Sequence, residues 1–109
     1  MVVALINEEG VIIMSVRIRC INKSSGYHEN PNEAIERYGW VNESTNESGI
    51  ETRQAMVDWV KKGNQAYVTD SQGNRVSCEV RESSRGIEFL QTVSDGRETN
   101  NLLELPECK

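Results

Sequence analysis

His28, the cysteines Cys20, Cys78 and Cys108, and the loop acids Asp70 and Asp95 are the side chains from which this 109-residue chain could build chemistry. His28 lies in Ser25-Gly26-Tyr27-His28-Glu29 and is the one side chain whose ordinary titration falls near neutrality. Beside Glu29 or another carboxylate it could serve as a general base. Base catalysis needs a nucleophile within hydrogen-bond reach, and the sequence sets none there, so an exposed loop histidine is the favoured reading. The three cysteines form no Cys-x-x-Cys pair, and with a single histidine they make no ordinary zinc set. Cys20 and Cys78 fall on the apolar phase of candidate strands and read as small buried hydrophobes. Cys108, next to Glu107, is expected to pack with the leucines before it or, undocked, to form an intermolecular disulfide on oxidation. An intramolecular disulfide would leave one thiol over, and reduced thiols are the expected state.

Asp95-Gly96-Arg97-Glu98 invites a metal or phosphate reading, and Asp70-Ser71-Gln72-Gly73-Asn74 a calcium-loop reading. The twelfth place counted from Asp70 is Arg81, where such a loop needs an acid. Both segments read as hairpin turns. With no P-loop, GxGxxG or GxSxG, no catalytic residue, metal or cofactor is assigned. Arg17, Arg19 and Lys23 share a strand face, with Tyr27 and Trp40 near in sequence, and a basic and aromatic face can stack bases. Against nucleic acid stand 12 basic residues facing 17 acidic ones, a net charge of -5, and no second basic cluster. Trp40 and Trp59 are the candidate interface anchors, because large aromatics dominate contact energetics; for Trp59 a half-buried place at the core margin is the favoured reading.

These residues must be positioned by one small domain, since 109 residues cannot supply two adequate cores. A hydrophobic content of 37% supports a modest core and argues against disorder. Residues 1–13 read as an N-terminal arm or extra strand, dispensable to a domain spanning 14–109. Met14–Lys23 alternates as a strand, with Val16, Ile18 and Cys20 on one face and Arg17, Arg19 and Ile21 on the other. Asn30-Pro31-Asn32-Glu33 predicts a helix start, with Gly39 as its stop and Trp40-Val41 as a brief strand. Ser48-Gly49-Ile50-Glu51 repeats the capping box and predicts a second helix to Lys62, closed by Gly63, with Ile50, Met56, Val57 and Val60 as its apolar stripe. Gln65–Asp70, Arg75–Val80 and Ile87–Val93 then read as a meander of strands. Asn100–Cys108 reads as a helical turn docked by leucines. The expected architecture is α+β: an antiparallel sheet of about four to five strands with two helices on one face.

The string Asn101-Leu102-Leu103-x-Leu105-Pro106-Glu107-Cys108 resembles a small bacterial family, the domain of unknown function DUF3892. Cys20-Ile21-Asn22-Lys23, Pro31-x-Glu33-x-Ile35 with Gly39 and Trp40, the helix end at Val60 and Gly63, and Phe89-x-x-Thr92-x-x-Asp95-Gly96 add to the resemblance, which covers about residues 16–108. Where that family often has Pro-His, Asn32 follows Pro31 here, so no role at that position is carried over. The resemblance implies one domain and no activity.

The leading expectation is a non-enzymatic module that binds a protein partner or a second copy of itself through Trp40 and Trp59. The alternative is a small-ligand or enzymatic pocket near His28 and Asp95, and a third is weak nucleic-acid binding through Arg17, Arg19 and Lys23. With no apolar run near the roughly 20 residues a spanning helix needs and no secretion signal at the start, the expected setting is cytoplasmic, away from membranes.

Overall fold

Strand-forming residues recur along the chain, and one sheet collects them. The computed structural model describes residues 4–6, 12–26 and 28–109. Its elements are β1 (Ala4–Ile6), β2 (Ile12–Lys23), a 3₁₀ turn (Pro31–Ala34), β3 (Ile35–Val41), β4 (Ser48–Thr52), α1 (Arg53–Lys61), β5 (Gln65–Thr69), β6 (Arg75–Glu82), β7 (Glu88–Ser94) and β8 (Arg97–Thr99). Seven strands run in the order β4-β3-β2-β5-β6-β7-β8, and β1 pairs with β2 off that path. Of the N-terminal arm, Ala4–Ile6 and the start of β2 are thus in strands, and the rest of it lies outside the described residues.

The expected four- to five-stranded antiparallel sheet with two helices is corrected on three points. The sheet has more strands, it is mixed, and α1 is the one α-helix among the described residues. Mixing arises because Ser15–Arg17 of β2 pairs in parallel with Gln65–Tyr67 of β5. A parallel pair needs a long crossover, and α1 supplies the return leg just before β5.

The first expected helix stops after one turn. Asn30 caps it through a bond from the Asn32 N–H and Pro31 opens it, but Ile35, Tyr38, Trp40 and Val41 are β-branched or aromatic and fit a pleated surface better than a helix. They form β3 between β2 and β4, with Gly39 in mid-strand rather than at a helix end. The second helix begins at Arg53, not within Ser48–Glu51. Thr52 is its cap and accepts from the Ala55 N–H at 3.2 Å. Ser48–Thr52 pairs with β3 instead, leaving Ile50 50% exposed. Gly49 weakens a helix by about 1 kcal/mol and suits a strand that lies under a tryptophan.

One bulge redirects β2. Ile18 pairs with Trp40 and Cys20 with Gly39, so Arg19 is an extra residue on β2. The expected phase holds through Val16 and Ile18 and then reverses: Ile21 is buried at 2% exposure, and Cys20 turns away from the core face. There it forms a disulfide with Cys108, the Cα atoms 4.9 Å apart, which corrects the expectation of reduced thiols and of Cys20 as a core residue. Beyond Arg17 the β5 side of β2 is open, and the segment after Leu105 fills it. The Ile21 N–H donates to the Pro106 carbonyl and the Cys108 N–H to the Ile21 carbonyl, each at 3.0 Å, while Leu102 is fully buried.

The core joins Val16, Ile18, Ile21, Ile35 and Tyr38 to Val68, Val76, Cys78 and Leu90, with Met56 and Val57 of α1 laid on them. A nine-residue helix is marginal alone. Burying Met56 and Val57, at about 1.5–3 kcal/mol each, is what holds it. Asn32 bonds Gln91 at 3.0 Å and Gln91 reaches the Thr99 carbonyl at 2.7 Å, tying the 3₁₀ turn to β7 and β8.

Candidate interaction cleft

Spacings of three and four residues put Ala55, Met56 and Trp59 on one face of α1. Trp40 comes toward them from β3, opposite Gly49 of β4. A side chain at Gly49 would stand 3.0–3.1 Å from the indole ring, so the glycine lets Trp40 lie flat over its neighbour strand. Met14 and Val16 of β2 and Glu51 of β4 complete the wall of a cleft of about 370 Å³. Both tryptophans are half-buried against the core. The lining is apolar except for the exposed Glu51, and no basic side chain lines it among the described residues.

Asn64 fixes the spacing of the walls. Its Nδ2 donates to the Trp59 carbonyl at 3.0 Å, and its Oδ1 accepts from the Met14 N–H at 3.0 Å. One side chain thereby closes the end of α1 and pins the start of the central strand.

His28 lines a second cleft, of about 410 Å³, with Ser24, Glu36, Thr52, Arg53 and Gln54. Its Nε2 lies 3.2 Å from Ser24 Oγ, a pairing not evident in the sequence. That hydroxyl also donates to the Ala34 carbonyl at 3.2 Å. With its one proton committed there, it accepts from the imidazole rather than being activated by it. Glu29 turns the other way: the Ser84 N–H and O–H donate to its carboxylate at 3.0 and 2.7 Å, which holds its pKa below the usual value. Arg53 donates to the Glu33 carbonyl. Asp95 does not line this cleft; it sits at φ 52° in the β7–β8 turn beside Gly96. Asp70 is likewise a turn residue, its Oδ1 accepting from the N–H groups of Gln72 and Asn74 at 2.9 and 2.8 Å.

The basic strand face is divided. Arg17 Nε is 3.5 Å from a Glu43 oxygen, and Glu43 also accepts from the Tyr67 hydroxyl at 2.6 Å, the main cause of its lowered pKa. Arg19 is the exposed bulge residue and Lys23 is exposed at the end of β2. Tyr27 lies outside the described residues.

Sequence reasoning named both tryptophans but not their meeting, nor Met14, Gly49, Glu51 and Asn64 around them. The helical spacing of Ala55, Met56 and Trp59 was a usable signal. The Trp40–Gly49 pairing was not, because Ser48–Thr52 read as helix. Among the described residues no three His, Cys, Asp or Glu side chains converge to hold a metal ion, and no helix is long and apolar enough to cross a membrane.

Residues 17–106 match the family model described as "Protein of unknown function (DUF3892)". No curated protein and no solved structure matches the chain.

Proposed function

Since the chain belongs to the DUF3892 family, whose description names no activity, we propose from the site alone that it is a non-enzymatic interaction module, contacting a protein partner through the Trp40–Trp59 cleft and the adjoining β4 edge. The observation that carries this reading is the convergence of two half-buried tryptophans on an apolar cleft beside an edge strand with exposed Ile50. Aromatic rings presented this way give large contact area at small entropic cost, and an open strand edge offers unpaired backbone groups to an extended segment. Glu51 at the rim favours a partner that places a basic or hydrogen-donating group beside its apolar anchor.

A library of displayed random peptides tests this. Retained peptides should be rich in apolar anchors, shift the tryptophan emission on binding, and lose roughly 30-fold or more in affinity with Trp59→Ala, the change that a lost hot spot of about 2 kcal/mol produces. Failure to retain any peptide, or equal binding by the Trp59→Ala variant, would overturn it.

The Ser24–His28 contact favours a second reading, a small-ligand site in the cleft they line with Arg53 and Glu36. His28→Ala separates the two readings, because it should leave peptide capture unchanged while abolishing capture of any compound held beside His28. Nucleic-acid binding through Arg17, Arg19 and Lys23 would instead show steep weakening with salt and with Arg17→Glu plus Arg19→Glu.

A further inference from the structure

The edge of β4, where no further strand pairs among the described residues, has a hydrogen-bond pattern that its surroundings determine. The Asn42 N–H donates to the Glu47 carbonyl at 2.7 Å, which marks that rung of the β3–β4 ladder as hydrogen-bonded. Antiparallel rungs alternate. Trp40–Gly49 and Tyr38–Glu51 are therefore bonded rungs, whereas Val41–Ser48, Gly39–Ile50 and Arg37–Thr52 are not. The far side of β3 agrees: the Ile21 N–H donates to the Pro106 carbonyl and the Ile21 carbonyl accepts from the Cys108 N–H, so Tyr38 opposite it turns its backbone groups toward β4. Ser48, Ile50 and Thr52 thus direct their N–H and carbonyl groups outward.

Resting on the interaction reading and naming its partner, we propose that this edge pairs with β4 of a second copy of the chain, antiparallel and centred on Ile50. A two-fold antiparallel pair sets one residue opposite itself, because two paired residues must direct their backbone groups alike. Of Ser48, Ile50 and Thr52, only Ile50 as the centre engages all three, giving about six main-chain hydrogen bonds. The side chains suit that register. Ile50, 50% exposed, meets its own copy on one face. On the other, Glu51 falls opposite Gly49 of the second copy, not opposite another Glu51, so the acids are not set against each other. Gly49 is where the Trp40 indole lies, its Nε1 3.1 Å from the position of the missing Cβ. That N–H makes no hydrogen bond among the described residues, and the Glu51 carboxylate of the second copy arrives beside it as an acceptor, twice in a symmetric pair. The opposite sheet edge contrasts with this one. β8 is three residues long and charged at Arg97 and Glu98, the usual protection of an edge against pairing, whereas β4 presents an apolar side chain at its centre.

A contact of one strand per copy is small, so dissociation constants in the micromolar range or weaker are expected. Sedimentation velocity of the full chain from roughly 10 to 500 µM should show a concentration-dependent dimer. Ile50→Pro removes the central N–H at an edge position that tolerates proline and should leave a folded monomer by far-UV circular dichroism. Should that variant not fold, Ile50→Lys sets two like charges opposite each other and should weaken the dimer at least tenfold. Mild oxidation of Ile50→Cys should link two copies, and that of Glu51→Cys should not. A chain that stays monomeric over the whole range, or a dimer that survives in folded Ile50→Pro or Ile50→Lys, overturns the proposal. Either result leaves peptide capture at Trp59 as a separate measurement, so loss of the self-pairing is distinguishable from loss of the interaction reading.

Discussion

Gly39 stands opposite Cys20 in the β2–β3 ladder, and the hydrogen it carries in place of a side chain is what gives the Cys20–Cys108 bridge its room. A Cβ at Gly39 would press into Cys20 Sγ and stand 2.8 Å from Cys108 Sγ. Three residues distant in sequence are thereby interdependent. Glycine in mid-strand costs backbone entropy, and this position accepts that cost because the sulfurs occupy the space.

Gly39→Ala should therefore destabilise the oxidised protein by about 3 kcal/mol or more, from overpacking together with a broken or distorted bridge. In the Cys20→Ala, Cys108→Ala background the same change should cost less than about 1 kcal/mol, because the space is vacated. Urea unfolding of the four proteins measures the coupling. Equal costs in both backgrounds would mean that the sulfurs are not what excludes a side chain at Gly39.

Reduction tests the bridge directly. Cys20 and Cys108 are 88 residues apart in sequence, and on a chain-entropy account closing so long a loop stabilises the fold by about 4–5 kcal/mol. Dithiothreitol should lower the urea midpoint accordingly and should have no effect on Cys20→Ala plus Cys108→Ala. The segment Pro106–Cys108 should gain amide exchange first, since Ile21 is its main backbone partner.

Cys78 should behave oppositely to an exposed thiol. Burial alone pushes its pKa up to about 12, so the folded state holds its proton more tightly than the unfolded chain does. The sign follows: the contribution is complete below the unfolded value and is lost as pH rises between about 9 and 12, on the order of 1 kcal/mol per pH unit. Comparison with Cys78→Val by denaturant titration across that range isolates it. Native protein should resist iodoacetamide at pH 9, and rapid modification there would contradict the burial.

Asn64→Ala should cost about 1–3 kcal/mol, since it leaves the Trp59 carbonyl and the Met14 N–H without their partner. It should also change the tryptophan emission, because it frees one wall of the cleft against the other. Unaltered emission together with lost stability would confine Asn64 to a helix-end role and remove it from the cleft.

Turns and strand identities from Gln65 to Val93 were legible because alternation and the Gly73, Gly86 and Gly96 turn signals act locally. The capping signals were misleading. Asn30-Pro31 does open a helical turn and Ser48-x-x-Glu51 does match a capping box, but backbone pairing with β2 and β3 outweighs both. Phase through Cys20 could not be read, because the bulge at Arg19 is set by where β3 pairs. The tryptophans were visible as residues and not as a site, since their meeting depends on Gly49 lying in a strand beside Trp40.

The pairing of β2 also bears on how the chain folds during synthesis. Residues 15–17 wait for partners some fifty positions later, and Ile21 waits for Pro106 and Cys108. A ribosome must therefore synthesise the chain through Cys108 before the central strand has both neighbours. Contacts of such long sequence separation slow the search for the native state. Until that search is complete, the middle of the sheet is exposed to other nascent chains.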